Sequence, residues 1–201
     1  MTDRLRGLSI AVLATDGFEQ AELETPVDAL KKEGARVDVV APKTGAIQGW
    51  EHHEKGSPVP VDKELSQVSP AQYDALVLPG GVMNPDALRL DSRAIAFVRA
   101  FADADMPIAA ICHGPWTLIN AEAVAGKTMT SWPSLQVDLE NAGAHWVDKE
   151  VVRDGHLVTS RKPQDLPAFC AKMIELFEET GRRDRREGRP AGEADGASAR
   201  H

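Results

Sequence analysis

Cys112, His113, Gly114 and Pro115 follow directly on the apolar run Pro107-Ile108-Ala109-Ala110-Ile111. A thiol and an imidazole therefore stand where a short buried strand gives way to a helix. Glycine followed by proline favours a sharp turn and a helix start. The helix would aim its unpaired N–H groups and the positive end of its dipole at the sulfur. Such a field favours thiolate, the nucleophilic form, and predicts a cysteine that reacts near neutral pH. The segment also allows a second reading, a small buried hydrophobe in a core strand. The abrupt change of character after Ile111 is what favours the first.

Two other segments carry groups that such a nucleophile needs. Gly80-Gly81 follows the apolar run Ala75-Leu76-Val77-Leu78. Paired glycines let backbone approach a ligand closely, so the Gly81 and His113 amides could hold a developing oxyanion, with Gly80 and Gly114 supporting the turns. A plain tight turn is the alternative for this glycine pair. Asp16-Gly17-Phe18-Glu19 follows the first apolar run, and Glu19 is the acid nearest the end of that strand. Two anions cannot comfortably share one site, so a Glu19 that reaches Cys112 would hold a proton and donate it to the sulfur. Otherwise Glu19 simply pairs with a helix dipole. His113 would need a carboxylate to fix its tautomer, and Asp86, just beyond the glycine pair, is the candidate; a solvent-facing acid after Pro85 is the other reading.

The elements that would position these groups alternate along the chain. Strands are predicted over 8–14, 36–41, 73–78, 107–111 and 127–132, with a hairpin turning at Asp154-Gly155. Helices are predicted after Phe18, over 91–103, from Pro115, over 134–142 and over 164–180. Residues 45–60 are turn-rich and read as a short hairpin or excursion. Near-continuously apolar strands alternating with helices predict a three-layer α/β/α sandwich, flavodoxin-like, with a mostly parallel sheet. Its sites lie at the carboxyl ends of the strands.

Composition narrows the function further. The chain has 201 residues, 42% hydrophobic and 27% charged, as in an ordinary globule, so a single domain over 1–181 is the expectation. The net charge is −8, and residues 182–201 hold six Arg against four acids, so the body is more acidic still. An acidic body argues against a nucleic-acid groove. The arginine-rich 182–201 segment lacks large apolar residues and is expected to be disordered. No apolar signal segment or membrane span is present, which predicts a cytoplasmic protein. Two cysteines make no disulfide framework, and Cys170 reads as core filler on a helical face. His52-His53-Glu54 lacks the spacing of a helical metal pair, no phosphate loop or dinucleotide fingerprint occurs, and neither a metal nor a cofactor is expected.

Together Asp16-Gly17-Phe18-Glu19 with Glu22-Leu23, Asp74 to Gly81, Ala110 to Pro115 and Ser160 to Leu166 resemble the ThiJ/PfpI superfamily, and within it the PfpI-type intracellular peptidase and stress-protein branch. The resemblance runs from about Leu8 to Phe177. It implies Cys112 as nucleophile, Glu19 as its buried hydrogen-bond partner and His113 as the paired imidazole. It also implies that Asp86 completes the set across a subunit interface, where the peptidase relatives place a Glu, and hence a homodimer or higher oligomer. Members are assigned as peptidases, as glyoxalase or deglycase enzymes, and as oxidation-sensitive stress proteins. A chain with no second domain or long lid has little wall to grip an extended peptide. The expectation is therefore a stress-response, cysteine-dependent hydrolase of small carbonyl compounds or their protein adducts. An oligomeric cysteine peptidase and a non-enzymatic sensor oxidised at Cys112 are the alternatives.

Overall fold

The structure, a computed structural model, describes residues 3–186. Along β1 (Ser9–Leu13) every residue is buried, and successive side chains leave on opposite faces. Ile10 and Val12 join one core with Leu23, Leu30, Phe169 and Phe177, while Ala11 and Leu13 join a second with Phe97, Phe101 and Leu118. One strand thus faces two separate apolar layers, which defines an α/β/α sandwich. Burying each such Leu or Phe contributes about 1.5–3 kcal/mol, so the two layers hold the sheet from both sides.

The chain continues through β2 (Phe18–Glu19), α1 (Gln20–Lys32), β3 (Arg36–Ala41), β4 (Ala46–Glu51), β5 (Glu54–Pro60), β6 (Lys63–Glu64) and β7 (Ala75–Leu78). It then forms α2 (Met83–Leu88), α3 (Ser92–Asp103), β8 (Ile108–Ile111), α4 (Pro115–Asn120), β9 (Thr128–Met129) and α5 (Gln136–Asn141). Last come β10 (His145–Trp146), β11 (Val151–Asp154), β12 (Leu157–Ser160) and α6 (Leu166–Arg186). The central sheet has seven strands in the order β11-β12-β8-β7-β1-β3-β6. All pairings are parallel except β11 with β12. The carboxyl ends of β1, β7 and β8 therefore meet at one edge.

Three details differ from the sequence expectation. The run 127–132 supplies only the short β9, which pairs with β10 outside the main sheet, because Thr130 and Ser131 leave the ladder for side-chain hydrogen bonds. Helix α2 has no signal in the sequence: it opens from Val82 without a side-chain cap and contains Pro85, so it reads as a turn. Helix α6 does not stop at Thr180 but runs to Arg186, through a Gly181 packed so close to the Leu8 side chain that a larger residue would require Leu8 to shift. No proline or capping glycine interrupts 182–186. The first residues of the segment expected to be disordered are therefore helical, and 187–201 lie outside the described residues. No helix among the described residues is long and apolar enough to cross a membrane.

Candidate active site

The elbow after β8 is held from both sides. The Cys112 N–H donates to the Ser160 carbonyl (3.0 Å), and its own carbonyl accepts from the Trp132 N–H (2.9 Å). Between these anchors Cys112 takes φ +61°, left-handed backbone that costs a non-glycine residue about 1–3 kcal/mol. Gly114 closes the turn by donating to the Ile111 carbonyl (2.9 Å). A Cβ there would sit 2.5 Å from the Leu78 carbonyl oxygen, so only glycine fits. Pro115 then starts α4.

The Gly80-Gly81 turn after β7 presses against this elbow. A Cβ on Gly80 would collide with both Glu22 and Cys112, and Gly81 takes φ +77° against the backbone of Gly17 to Glu19. Asn84, fully buried, braces the turn: its amide donates to the Pro79 and Gly80 carbonyls (3.0 and 3.1 Å) and accepts from the Thr15 N–H (2.8 Å). The backbone amides of Gly81 and His113 lie near enough to the Cys112 sulfur to favour negative charge on it.

The carboxyl group that meets the sulfur is Glu22, in the first turn of α1, and not Glu19. Glu22 is fully buried, and its Oε2 accepts from the Gly80 N–H (3.1 Å). Burial, reinforced by the charge of Glu19, pushes its pKa up to about 8, while the Gly80 and Gly81 amides oppose the shift. Glu22 therefore carries a proton at neutral pH, which gives it a donor to set against the thiol. Glu19 stands at the mouth, partly exposed. Its Oε2 accepts from the His52 N–H (3.1 Å) at the tip of the β4–β5 hairpin. Residue 19 caps α1 in extended backbone and faces the hairpin, whereas residue 22 lies on the helix's buried stripe with Leu23, Pro26, Val27 and Leu30.

Burial also pushes the Cys112 thiol up, and the Glu22 charge adds to this against the pull of the Gly81 and His113 amides. The resting sulfur is thus a protonated thiol, unlike the ready thiolate expected from the helix dipole, because Cys112 is almost wholly removed from water. A base stands beside it: His113 Nδ1 lies 3.2 Å from Sγ. Burial lowers the imidazole to a pKa of about 4, so the ring is neutral at neutral pH and can share a hydrogen bond with the thiol, while transfer of the proton to it is uphill until negative charge on the sulfur is relieved by bonding to a substrate.

Two tryptophans box that ring. Trp116 meets His113 edge-on (5.2 Å, 64°), and Trp132 lies nearly parallel to it (5.8 Å, 23°). Trp116 is fixed by its own bond from Nε1 to Asp138 (2.9 Å) and by the Arg89 guanidinium 5.3 Å over its ring. Asp86 sits exposed on α2, and among the described residues no hydrogen bond joins it to His113 within the chain. Cys170 is buried on α6, its thiol pushed up to about 11 by burial. Among the described residues no group of three or more His, Cys, Asp or Glu is placed to hold a metal.

The structure thus brings Cys112, His113, Gly80, Gly81 and Gly114 together, and leaves Glu19 and Asp86 at the margin. Sequence reasoning missed Glu22, Asn84, Trp116 and Trp132. For Glu22 a signal existed, a carboxylate on the apolar stripe of an amphipathic helix, a place where charge is costly unless it has a use.

A strained cysteine elbow between strand and helix, on a sheet of this order, points to one class of protein. The DJ-1/PfpI family model matches residues 8–176, and the chain belongs to that family. Protein/nucleic acid deglycase 2 of Escherichia coli (strain K12) is 44% identical over 171 residues, covering 84% of this chain and 96% of that protein. General stress protein 18 of Bacillus subtilis (strain 168) is 42% identical over 174 residues, covering 86% of this chain and 99% of its own. The crystal structure of Drosophila melanogaster DJ-1beta superposes with a TM-score of 0.76 at 29% identity, covering 91% of this chain and 97% of that one.

Proposed function

We propose that this protein is a cysteine-dependent hydrolase of small carbonyl compounds and of the adducts they form with amino groups, a deglycase or glyoxalase of the stress response. The observation that carries the reading is Cys112 Sγ held 3.2 Å from a neutral His113 ring, beside two backbone amides that favour negative charge on the sulfur. The 44% identity to a relative named a deglycase supports the substrate class.

The chemistry follows from those positions. A hemiaminal adduct of methylglyoxal exchanges its amine for the sulfur. The C–N bond breaks, the S–C bond forms, and the thiol proton reaches the departing nitrogen through His113. The hemithioacetal oxygen lies against the Gly81 and His113 amides, as does the enediolate formed when a base takes the proton from the sulfur-bearing carbon. Return of that proton to the neighbouring carbon oxidises the first carbon and reduces the second, which leaves a thioester. Water then releases a 2-hydroxy acid and restores the thiol. Protonated Glu22 keeps a second negative charge away from the sulfur throughout.

A homodimer completes this reading, with Asp86 of a second copy reaching the outer nitrogen of His113. The exposed position of Asp86 on α2 supports it, as does the fact that among the described residues no carboxylate is hydrogen-bonded to that ring. The decisive assay is release of free amine from methylglyoxal-treated Nα-acetylarginine and Nα-acetyllysine, together with direct turnover of methylglyoxal. All of these are expected to vanish in Cys112→Ala. Turnover that persists without the sulfur, or none in the wild type, contradicts the reading.

A further inference from the structure

Among the described residues the exposed large apolar side chains are Val82, Met83, Leu90, Trp132 and Val137; Trp132 is the aromatic one, and its backbone is bonded to Cys112 itself. Its indole is 38% exposed yet rigidly mounted. The backbone N–H is tied to the Cys112 carbonyl (2.9 Å), the carbonyl accepts from Ser131 Oγ (2.9 Å), and Pro133 restricts the residue to extended backbone. Ser131 is in turn fixed by the Trp146 indole N–H (3.0 Å). A flat π surface is thus held parallel to His113 at the mouth of the site.

The other side of the imidazole shows what such a surface takes. There Arg89 lies over the Trp116 ring, a guanidinium on an indole, with Nε also bonded to Asn120 (3.0 Å). Among the described residues no cation covers Trp132. The mouth also carries the partly exposed Glu19, on a chain of net charge −8, which favours a cationic ligand.

We infer that Trp132 is a substrate-binding platform that stacks the leaving group and selects adducts of arginine, whose guanidinium is planar and delocalised, over adducts of lysine. A guanidinium stacks on an indole face and is weakly hydrated, whereas an ammonium is a compact, strongly hydrated charge with no plane to lay against the ring. The inference rests on the deglycase reading above and names which amine that site prefers.

The test compares the methylglyoxal adducts of Nα-acetylarginine and Nα-acetyllysine in the wild type, Trp132→Phe and Trp132→Ala. The wild-type kcat/KM ratio is expected to favour the arginine adduct by about tenfold. Trp132→Ala should bring the ratio near unity through KM, and Trp132→Phe should keep most of the preference. Equal losses on both adducts would overturn the inference, since Trp132 would then act only by holding His113. A binding arm separates this from the chemistry: Nα-acetylarginine amide is titrated into Cys112→Ala with tryptophan fluorescence as the readout. Saturable quenching that disappears in Cys112→Ala/Trp132→Phe, and that Nα-acetyllysine amide does not reproduce, supports the platform even if the wild type turns over neither adduct. No saturable quenching overturns it.

Discussion

Glu22 carries an electrostatic consequence that shows in stability across the neutral pH range. Its pKa of about 8 in the fold lies well above that of an unfolded glutamate near 4.3. Between those values the folded chain holds a proton that the unfolded chain has released, so stability falls as pH rises through that window and levels off above it. Glu22→Gln keeps an acceptor for the Gly80 N–H but cannot ionise. Denaturant unfolding at pH 5 and pH 8.5 should therefore show the variant gaining on the wild type at the higher pH, by roughly 4 kcal/mol. A difference that does not change with pH would mean that Glu22 is already ionised in the fold. At this scale the thiol, the imidazole and the glycine pair were legible, because each breaks a local apolar pattern. Glu19 lies nearer the strand end in sequence, but it stands in extended backbone ahead of α1, whereas Glu22 lies inside the helix on its buried stripe, a distinction that only the exact start of the helix decides.

The strands converge on the site because of their order. β1, β7 and β8 are neighbours in the sheet, so the loops leaving them, with Gly17, Gly80 and Cys112, share one edge. Their all-apolar runs made them plain in the sequence. Helix α2 was not plain, since its stability comes from packing Asn84, Pro85 and Leu88 inward and not from a capping signal. That packing leaves Asp86 on the outer side, the placement from which a carboxylate can serve another copy. Inactive Cys112→Ala and Asp86→Ala chains, mixed and allowed to exchange subunits, should then recover activity. One hybrid site in half of the dimers gives about a quarter of wild-type turnover. No recovery, with exchange confirmed by mass, would place Asp86 outside the working site or keep its action within one chain.

Over the whole molecule, two apolar layers on either side of one sheet stabilise a strained elbow and a nearly dehydrated thiol that neither layer would favour alone. The left-handed Cys112, the protonated Glu22 and the neutral His113 all run against local preference. The first two are held by backbone bonds from other elements, Ser160 at the end of β12, Trp132 beyond β9 and Gly80 after β7, and His113 is held neutral by burial. The overall layering could be read from alternation alone, whereas these reversals depend on tertiary contacts that no local pattern encodes. The most direct test of the account is to quench the protein with acid during turnover of methylglyoxal and locate the added mass by peptide mapping. The account predicts a transient gain of one methylglyoxal unit on the Cys112 peptide, absent from the buried Cys170 and decaying as substrate is consumed. Turnover with Cys112 unmodified at every time point, and mass appearing only on surface lysines and arginines, would contradict it.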